Sequence, residues 1–152
     1  MTRANARELA VHLIYSREFT NEEPEDIISS RLNKAYYFQL SDDNTIYADH
    51  PDPQQLAYID RVVVGVANRS SELNAIIQKY AIGWDVGRIS RLARAILQLA
   101  IFEIQFLDDV PTGVAISEAV RITKLYDGED ASSFINGILG SFAKEISPEV
   151  KQ

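Results

Sequence analysis

The sequence predicts an all-α fold of about seven helices, arranged as two small bundles that share a long central helix. Three observations lead to this prediction. Apolar residues recur at the spacing of a helix face along most of the chain. The stretch from Ala95 to Leu107 contains only three polar residues, so a helix there must be enclosed by other helices. Prolines and glycines separate the apolar segments at intervals that suit helices.

The length and composition indicate one soluble domain that spans residues 1–152. Hydrophobic residues make up 46% and charged residues 24%, a balance that is typical of globular rather than disordered proteins. The absence of cysteine excludes disulfides and thiol catalysis. Neither a signal-peptide core nor an apolar run long enough to cross a membrane is present, so we expect a cytoplasmic protein without a membrane partner.

Two helices are predicted in the first part of the chain. Apolar residues on one face predict an amphipathic helix from about Ala4 to Arg17. Asn21 is a candidate N-cap for the second helix, which has Pro24 in its first turn and runs to about Leu32.

A polar stretch with several prolines, near residues 34–55, is predicted to be a long loop. Its aromatic residues allow two interpretations: they stack on nucleic-acid bases, or they anchor a long loop to the body of the protein. The residues concerned are Tyr36, Tyr37, Phe38 and Tyr47. The acidic surroundings favour the anchoring role.

The middle of the chain is predicted to form one long helix from about Asp52 to Tyr80, because apolar and aromatic residues keep the helical period throughout. Gly83 ends this segment, and a short helical turn is expected over residues 84–89. Ser90 or a neighbour then caps the central helix.

Two more helices are predicted after Pro111, which ends the central helix because proline lacks an N–H and disfavours a helical residue before it. Gly128 tolerates positive φ and is placed as a C-terminal cap. Asp130, Ser132 or Ser133 is expected to cap the start of the last helix.

Phe134 is expected in the first turn of the last helix, beside acidic residues and away from the centre of its apolar face. Two interpretations stay open at this point. The ring is exposed and available to a ligand, or it forms a hydrophobic staple at the helix start.

Four motifs in the second half of the chain carry a family resemblance. They cover Ala95–Ile104 (A-I-L-Q-L-A-I-F-E-I), Asp109–Pro111 (D-V-P), Val114–Val120 (V-A-I-S-E-A-V) and Gly128–Leu139 (G-E-D-A-S-S-F-I-N-G-I-L). In this order and spacing they resemble the NusB family of bacterial transcription antitermination factors. The clear similarity covers about residues 84–143, and the N-terminal helix agrees more weakly. Because a shorter link is usual in the family, the resemblance implies that the loop near residues 34–55 is an insertion.

The resemblance implies a function in transcription antitermination. Such proteins bind the boxA RNA of ribosomal RNA operons together with a small-subunit ribosomal protein, NusE, and join other Nus factors and RNA polymerase to promote read-through. The implied RNA-binding residues are Arg3, Arg7, Tyr15, Lys124, Asp130 and Phe134. The arginines would hold phosphates, the aromatic rings would stack on bases, and Asp130 would orient or limit the contact.

The charge of the chain keeps a second function open. The net charge is −7, and residues 18–60 carry ten acids against Arg31 and Lys34. Such a chain suits a protein-binding helical scaffold or a homodimer with little intrinsic RNA affinity. A third interpretation, the RNA-recruiting domain of a ribosomal RNA cytosine methyltransferase, would require a cofactor-binding domain beyond Gln152.

The sequence does not suggest catalysis or a bound cofactor. His12 and His50 belong to no spacing that is typical of metal ligands, so we expect no metal site. Glycine-rich loops that cradle phosphates are also absent. We therefore expect a binding protein rather than an enzyme.

Overall fold

The computed structural model describes residues 1–33, 37, 45–83 and 89–146. Within these ranges the secondary structure is helical and contains no β-strand, which confirms the predicted all-α class. The chain divides into two compact units, Met1–Asn68 and Arg69–Gln152. Of the helical turn predicted over residues 84–89, only Ile89 lies among the described residues. None of the described helices combines the length and hydropathy that a membrane crossing requires.

The described part of the first unit contains three α-helices and a 3₁₀-helix. They are α1 Arg3–Thr20, α2 Pro24–Arg31, the 3₁₀-helix Thr45–Ala48 and α3 Pro53–Asn68. α1 packs against α2 and α3, and α2 packs against α3. Each of the three helices contributes fully buried apolar side chains, among them Leu9, Ile27 and Ile59. Burial of apolar surface therefore stabilises this unit.

Both ends of α1 are capped by polar groups. The Oγ1 of Thr2 accepts the N–H of Asn5 at 3.0 Å, so the helix begins one residue earlier than predicted. Asn21 has a φ of 55° and donates its N–H to the carbonyl of Arg17. Its predicted role as the N-cap of α2 is wrong, because asparagine also suits the left-handed position after a helix. Glu23 occupies the N-cap of α2 instead.

The single long helix predicted over residues 52–80 is wrong. The structure has two helices there, α3 and α4 Ser70–Tyr80, and Arg69 between them has a φ of −120° and a ψ of 19°. Because the interruption is one residue long, the buried residues on either side, such as Val66 and Leu73, still fit the helical spacing. Periodicity alone therefore does not reveal the break.

The second unit is built around α5 Arg91–Phe106, which packs against α4, α6 Thr112–Tyr126 and α7 Glu129–Glu145. Ser90 caps α5 as predicted, since its Oγ accepts the N–H of Ala93 at 3.0 Å. α5 is buried along most of its length, including polar Gln98. The amide nitrogen of Gln98 donates to the Oδ1 of Asn74 at 2.9 Å, which satisfies the buried group.

The turn between α6 and α7 depends on Gly128. This residue has a φ of 94°, and it donates its N–H to the carbonyl of Thr123 at 3.1 Å. The predicted C-terminal cap is therefore confirmed. The predicted N-caps of the last helix are wrong, because α7 begins at Glu129, directly after Gly128, and thus before Asp130, Ser132 and Ser133.

Candidate nucleic-acid interface

The predicted site residues fall into two groups, one in each unit. Arg3, Arg7 and Tyr15 lie on α1 in the first unit. Lys124 lies in the last turn of α6, and Asp130 and Phe134 lie on α7, all in the second unit.

The two arginines of α1 converge on one aromatic ring. The guanidinium carbon of Arg3 lies 4.2 Å from the centroid of the Tyr58 ring, and that of Arg7 lies 5.9 Å from the same centroid. Tyr58 is on α3 and is only 6% exposed. Both distances are within the range of a cation–π contact. The ring therefore gathers positive charge at the start of α1.

The two arginines differ in their access to solvent. Arg3 is exposed to solvent. Arg7 is buried, with 4% of its surface exposed, and so is the next residue, Glu8, with 3%. A phosphate can approach an exposed guanidinium without displacing packed side chains, and it cannot approach a buried one in this way. Arg3 is thus the one of these two arginines that a ligand in solvent can reach.

Tyr15 lies further along α1 and is half-buried. Its ring packs edge-on against Phe19, with the centroids 5.0 Å apart. Phe19 is 56% exposed, so this pair presents an aromatic surface to solvent. Sequence reasoning missed Phe19, although its spacing of four residues from Tyr15 and its place off the apolar face of α1 were visible in the sequence.

The described aromatic residues of the predicted insertion lie inside the first unit. The Tyr37 ring is fully buried, and its hydroxyl donates to the carbonyl oxygens of Ile46 at 3.0 Å and Asp49 at 2.6 Å. Burial raises the pKa of this hydroxyl well above its usual value. His50 packs edge-on against the Tyr37 ring and approaches the carbonyl of Leu32 with its Nε2, at 2.8 Å.

A second contact joins this segment to α1. The Nδ1 of His12 lies 2.8 Å from the hydroxyl of Tyr47. Burial lowers the pKa of His12, and the nearby carboxylate of Glu8 opposes this effect. The anchoring interpretation is therefore confirmed for Tyr37 and Tyr47, while Tyr36 and Phe38 lie outside the described residues.

The second group surrounds the turn at Gly128. All seven residues from Lys124 to Asp130 are exposed. The Oγ of Ser90 donates to the Oδ2 of Asp127 at 3.2 Å and so joins the start of α5 to this turn. A cation in the last turn of α6 and an anion in the first turn of α7 are both favoured by the helix dipoles. Lys124 and Asp130 thus have a local structural role in addition to any binding role.

Phe134 does not form an exposed surface. Its side chain is only 8% exposed, so the first of the two interpretations left open, an exposed ring, is wrong. Because α7 begins at Glu129, Phe134 lies in the second turn of the helix and packs into the core with Ile135. It also stands beyond the position that a hydrophobic staple requires. A base would reach it only after the ring or its neighbours move.

Among the described residues, no group of histidines and carboxylates is arranged to hold a metal ion. The two sets of predicted site residues consist of arginine, lysine, aspartate and aromatic side chains. These groups suit contacts to phosphates and bases.

Comparison with known proteins identifies the family. The sequence profile of the NusB family matches residues 4–144, which include parts of both units and all or nearly all of each of the seven described α-helices. The chain belongs to the NusB family. The profile covers five of the six predicted site residues and begins one residue after Arg3.

Similar NusB proteins match over most of their length. The transcription antitermination protein NusB of Acetivibrio thermocellus is 39% identical over 144 residues, which is 95% of this chain and 90% of that protein. The NusB protein of Fervidobacterium nodosum is 37% identical over 145 residues, 95% of this chain and 92% of that protein.

Solved NusB structures share the fold. T. maritima NusB has a TM-score of 0.80 and 29% identity, and the match covers 99% of this chain and 96% of that one. A complex described as antitermination factors NusB and NusE with double-stranded RNA has a TM-score of 0.73 at 22% identity, over 94% and 96% of the two chains. At that identity the second likeness supports the fold alone.

Proposed function

We propose that this protein is a bacterial transcription antitermination factor. It binds the boxA RNA of ribosomal RNA operons together with NusE, and with other Nus factors it promotes read-through by RNA polymerase. Membership of the NusB family across both units is the observation that carries this proposal. The protein acts in the cytoplasm by binding rather than by catalysis.

We propose a role for each predicted RNA-binding residue from its exposure and its neighbours. Arg3 and Lys124 are exposed cations that neutralise phosphates. Tyr15 stacks on a base and is extended by Phe19, its neighbour on the same helix. Asp130 orients the contact from the first turn of α7.

The two buried members of the predicted set act in another way. Arg7 contributes positive potential from beneath the surface, next to Tyr58. Phe134 supports the first turns of α7 from the core. Each residue thus supports the exposed RNA-binding residues of its own unit without lying open to solvent.

The burial of Arg7 also favours a second candidate function. With a net charge of −7 and one of its two N-terminal arginines buried, the chain suits a protein-binding scaffold or a homodimer with little RNA affinity of its own. In that case NusE binding would persist while RNA binding would be weak and non-specific.

One experiment separates these functions. Binding to boxA RNA and to a scrambled RNA is measured at two salt concentrations, with and without NusE. We expect a preference for boxA that NusE strengthens. Equal affinity for both RNAs in every condition, with NusE binding retained, would contradict the antitermination function and favour the scaffold.

Arg3→Ala tests the residue on which the proposed site most depends. It should lower boxA affinity about fivefold and reduce the slope of log affinity against log salt by about 0.7, as expected for one lost phosphate contact to a single strand. Arg31→Ala, on α2 in the same unit, makes the same change in net charge and serves as the control. Equal effects of the two variants would show that only net charge matters.

A further inference from the structure

The start of α1 is held on the start of α3 by one glutamine side chain. The Oε1 of Gln55 accepts the N–H of Asp52 at 3.0 Å, and the Oδ1 of Asp52 accepts the N–H of Gln55 at 2.8 Å. This reciprocal pair is a capping box that fixes the first turn of α3. The amide nitrogen of Gln55 also donates to the carbonyl of Met1. The position of the first residues of the chain is therefore set by α3.

Tyr58 lies about one turn after Gln55 on α3, and it also contacts the start of α1. Its ring is almost fully buried, so neighbouring side chains fix its orientation. The guanidinium of Arg3 lies 4.2 Å from the ring centroid. A ring that is fixed at this distance restricts the long side chain of Arg3 to fewer conformations and so sets the position of its guanidinium.

Arg3 needs such a partner because of where it stands. It is the first residue of α1, where the helix dipole disfavours a cation. The contact with Tyr58 offsets this cost. A guanidinium is flat, and it stacks on an aromatic side chain in the same manner as on an RNA base. An exposed arginine held against a ring is thus prepared to contact single-stranded RNA with little further loss of conformational entropy.

We propose that Tyr58 is a positioning residue of the RNA-binding surface. It acts through Arg3, whose guanidinium it holds in the orientation that meets unpaired RNA, and it makes no contact with RNA itself. The inference rests on the proposed function, and it adds a buried residue of α3 to the proposed RNA-binding residues that lie on α1 in the same unit.

The test compares full-length variants for binding to boxA RNA. Tyr58→Leu removes the ring, and we expect it to lower the affinity about two- to fivefold, the range of one cation–π contact. Tyr58→Phe keeps the ring and should restore the affinity to within about twofold of the parent. Tyr80→Leu is the control, because it makes the same change in a tyrosine of the second unit whose ring also faces a cation, Lys79 at 5.3 Å.

A double-mutant cycle tests whether Tyr58 acts through Arg3. In the Arg3→Ala background, Tyr58→Leu should have no further effect on affinity. A general loss of structure would instead add to the effect of Arg3→Ala. The inference is overturned if Tyr58→Leu has the parent affinity, or if its effect persists in the Arg3→Ala background.

Arg3→Lys keeps the inference testable should Tyr58→Leu not fold. It retains the charge but not the flat stacking group, so we expect a two- to fivefold loss with the ring intact. Full affinity of Arg3→Lys would overturn the inference. A parent protein that does not prefer boxA to scrambled RNA would overturn the proposed function and this inference together, whereas a parent with that preference and an unaffected Tyr58→Leu would overturn the inference alone.

Discussion

The two groups of proposed RNA-binding residues, one in each unit, are built in different ways. At the start of α1, the position of Arg3 depends on a tertiary contact with Tyr58 on another helix. Around Gly128, the positions of Lys124 and Asp130 depend on a local turn whose backbone has a φ of 94°. The first group should therefore respond to substitutions on α3, while the second should respond to substitutions within its own turn.

The largest expected effect is on the free energy of unfolding, and it comes from removing the buried ring of Phe134. Phe134→Ala should lower the free energy of unfolding by about 3 kcal/mol, because it leaves a cavity beneath the first turns of α7. Denaturant unfolding measures this change, and Phe134→Leu, which keeps much of the volume, should cost less than half as much. An unchanged stability with a large loss of RNA affinity would show that the ring is a contact residue instead.

Gly128→Ala tests the turn directly. The φ of 94° is in a region that L-residues rarely adopt, so the change should destabilise the protein by about 1–2 kcal/mol although nothing lies near the added methyl group. Gly137→Ala is a matched control in the interior of α7, where the same change should stabilise by about 0.5–1 kcal/mol. If Gly128→Ala and Gly137→Ala had equal midpoints of thermal unfolding, a side chain at position 128 would not strain the backbone of the turn.

Lys124→Ala should have a smaller effect, and on RNA binding rather than on stability. The loss of one exposed cation is expected to lower boxA affinity about two- to threefold and to reduce the salt slope by about 0.7. Lys144→Ala, on the exposed side of α7, controls for net charge. If both lysines contribute equally, the second group has no specific role in RNA binding.

The smallest expected effect is a pH dependence in the first unit. The pKa of His12 is lowered by burial and partly restored by Glu8, so the folded protein binds its proton less readily than the unfolded chain, whose histidine pKa is about 6.5. Stability should then fall as the pH drops below about 6.5 and level off once the pH is below the folded pKa. His12→Gln should flatten this part of a plot of unfolding midpoint against pH, and an unchanged slope would assign the dependence to other groups.

Prediction from the sequence is correct for the elements that depend on residues close to one another in the chain. The central helix, its Ser90 cap and the Gly128 turn were predicted correctly, because each depends on residues within a few positions of one another. The break at Arg69 was missed, since a one-residue interruption barely changes the apolar spacing. Of the two interpretations left open for Phe134, the exposed ring is wrong, because Phe134 lies one helical turn before buried Ile138 and on the same side of the helix.

The contacts of the candidate site were harder to predict than its residues. Arg3 and Tyr58 are far apart in sequence, and nothing local indicates that they meet. The burial of Arg7 was equally hidden, because arginine is usually exposed and its spacing from Arg3 suggested a shared surface. The assignment of residues 34–55 as an insertion stays a prediction.

The buried hydroxyl of Tyr37 couples a change in ultraviolet absorbance to the folding of the first unit. Exposed tyrosines ionise near pH 10, whereas burial raises the pKa of Tyr37 and keeps its proton in place at that pH. The stability that this group contributes is full below about pH 10 and is lost at higher pH. In an alkaline spectrophotometric titration, Tyr37 should therefore form tyrosinate in a separate, later step that coincides with the opening of the unit around it.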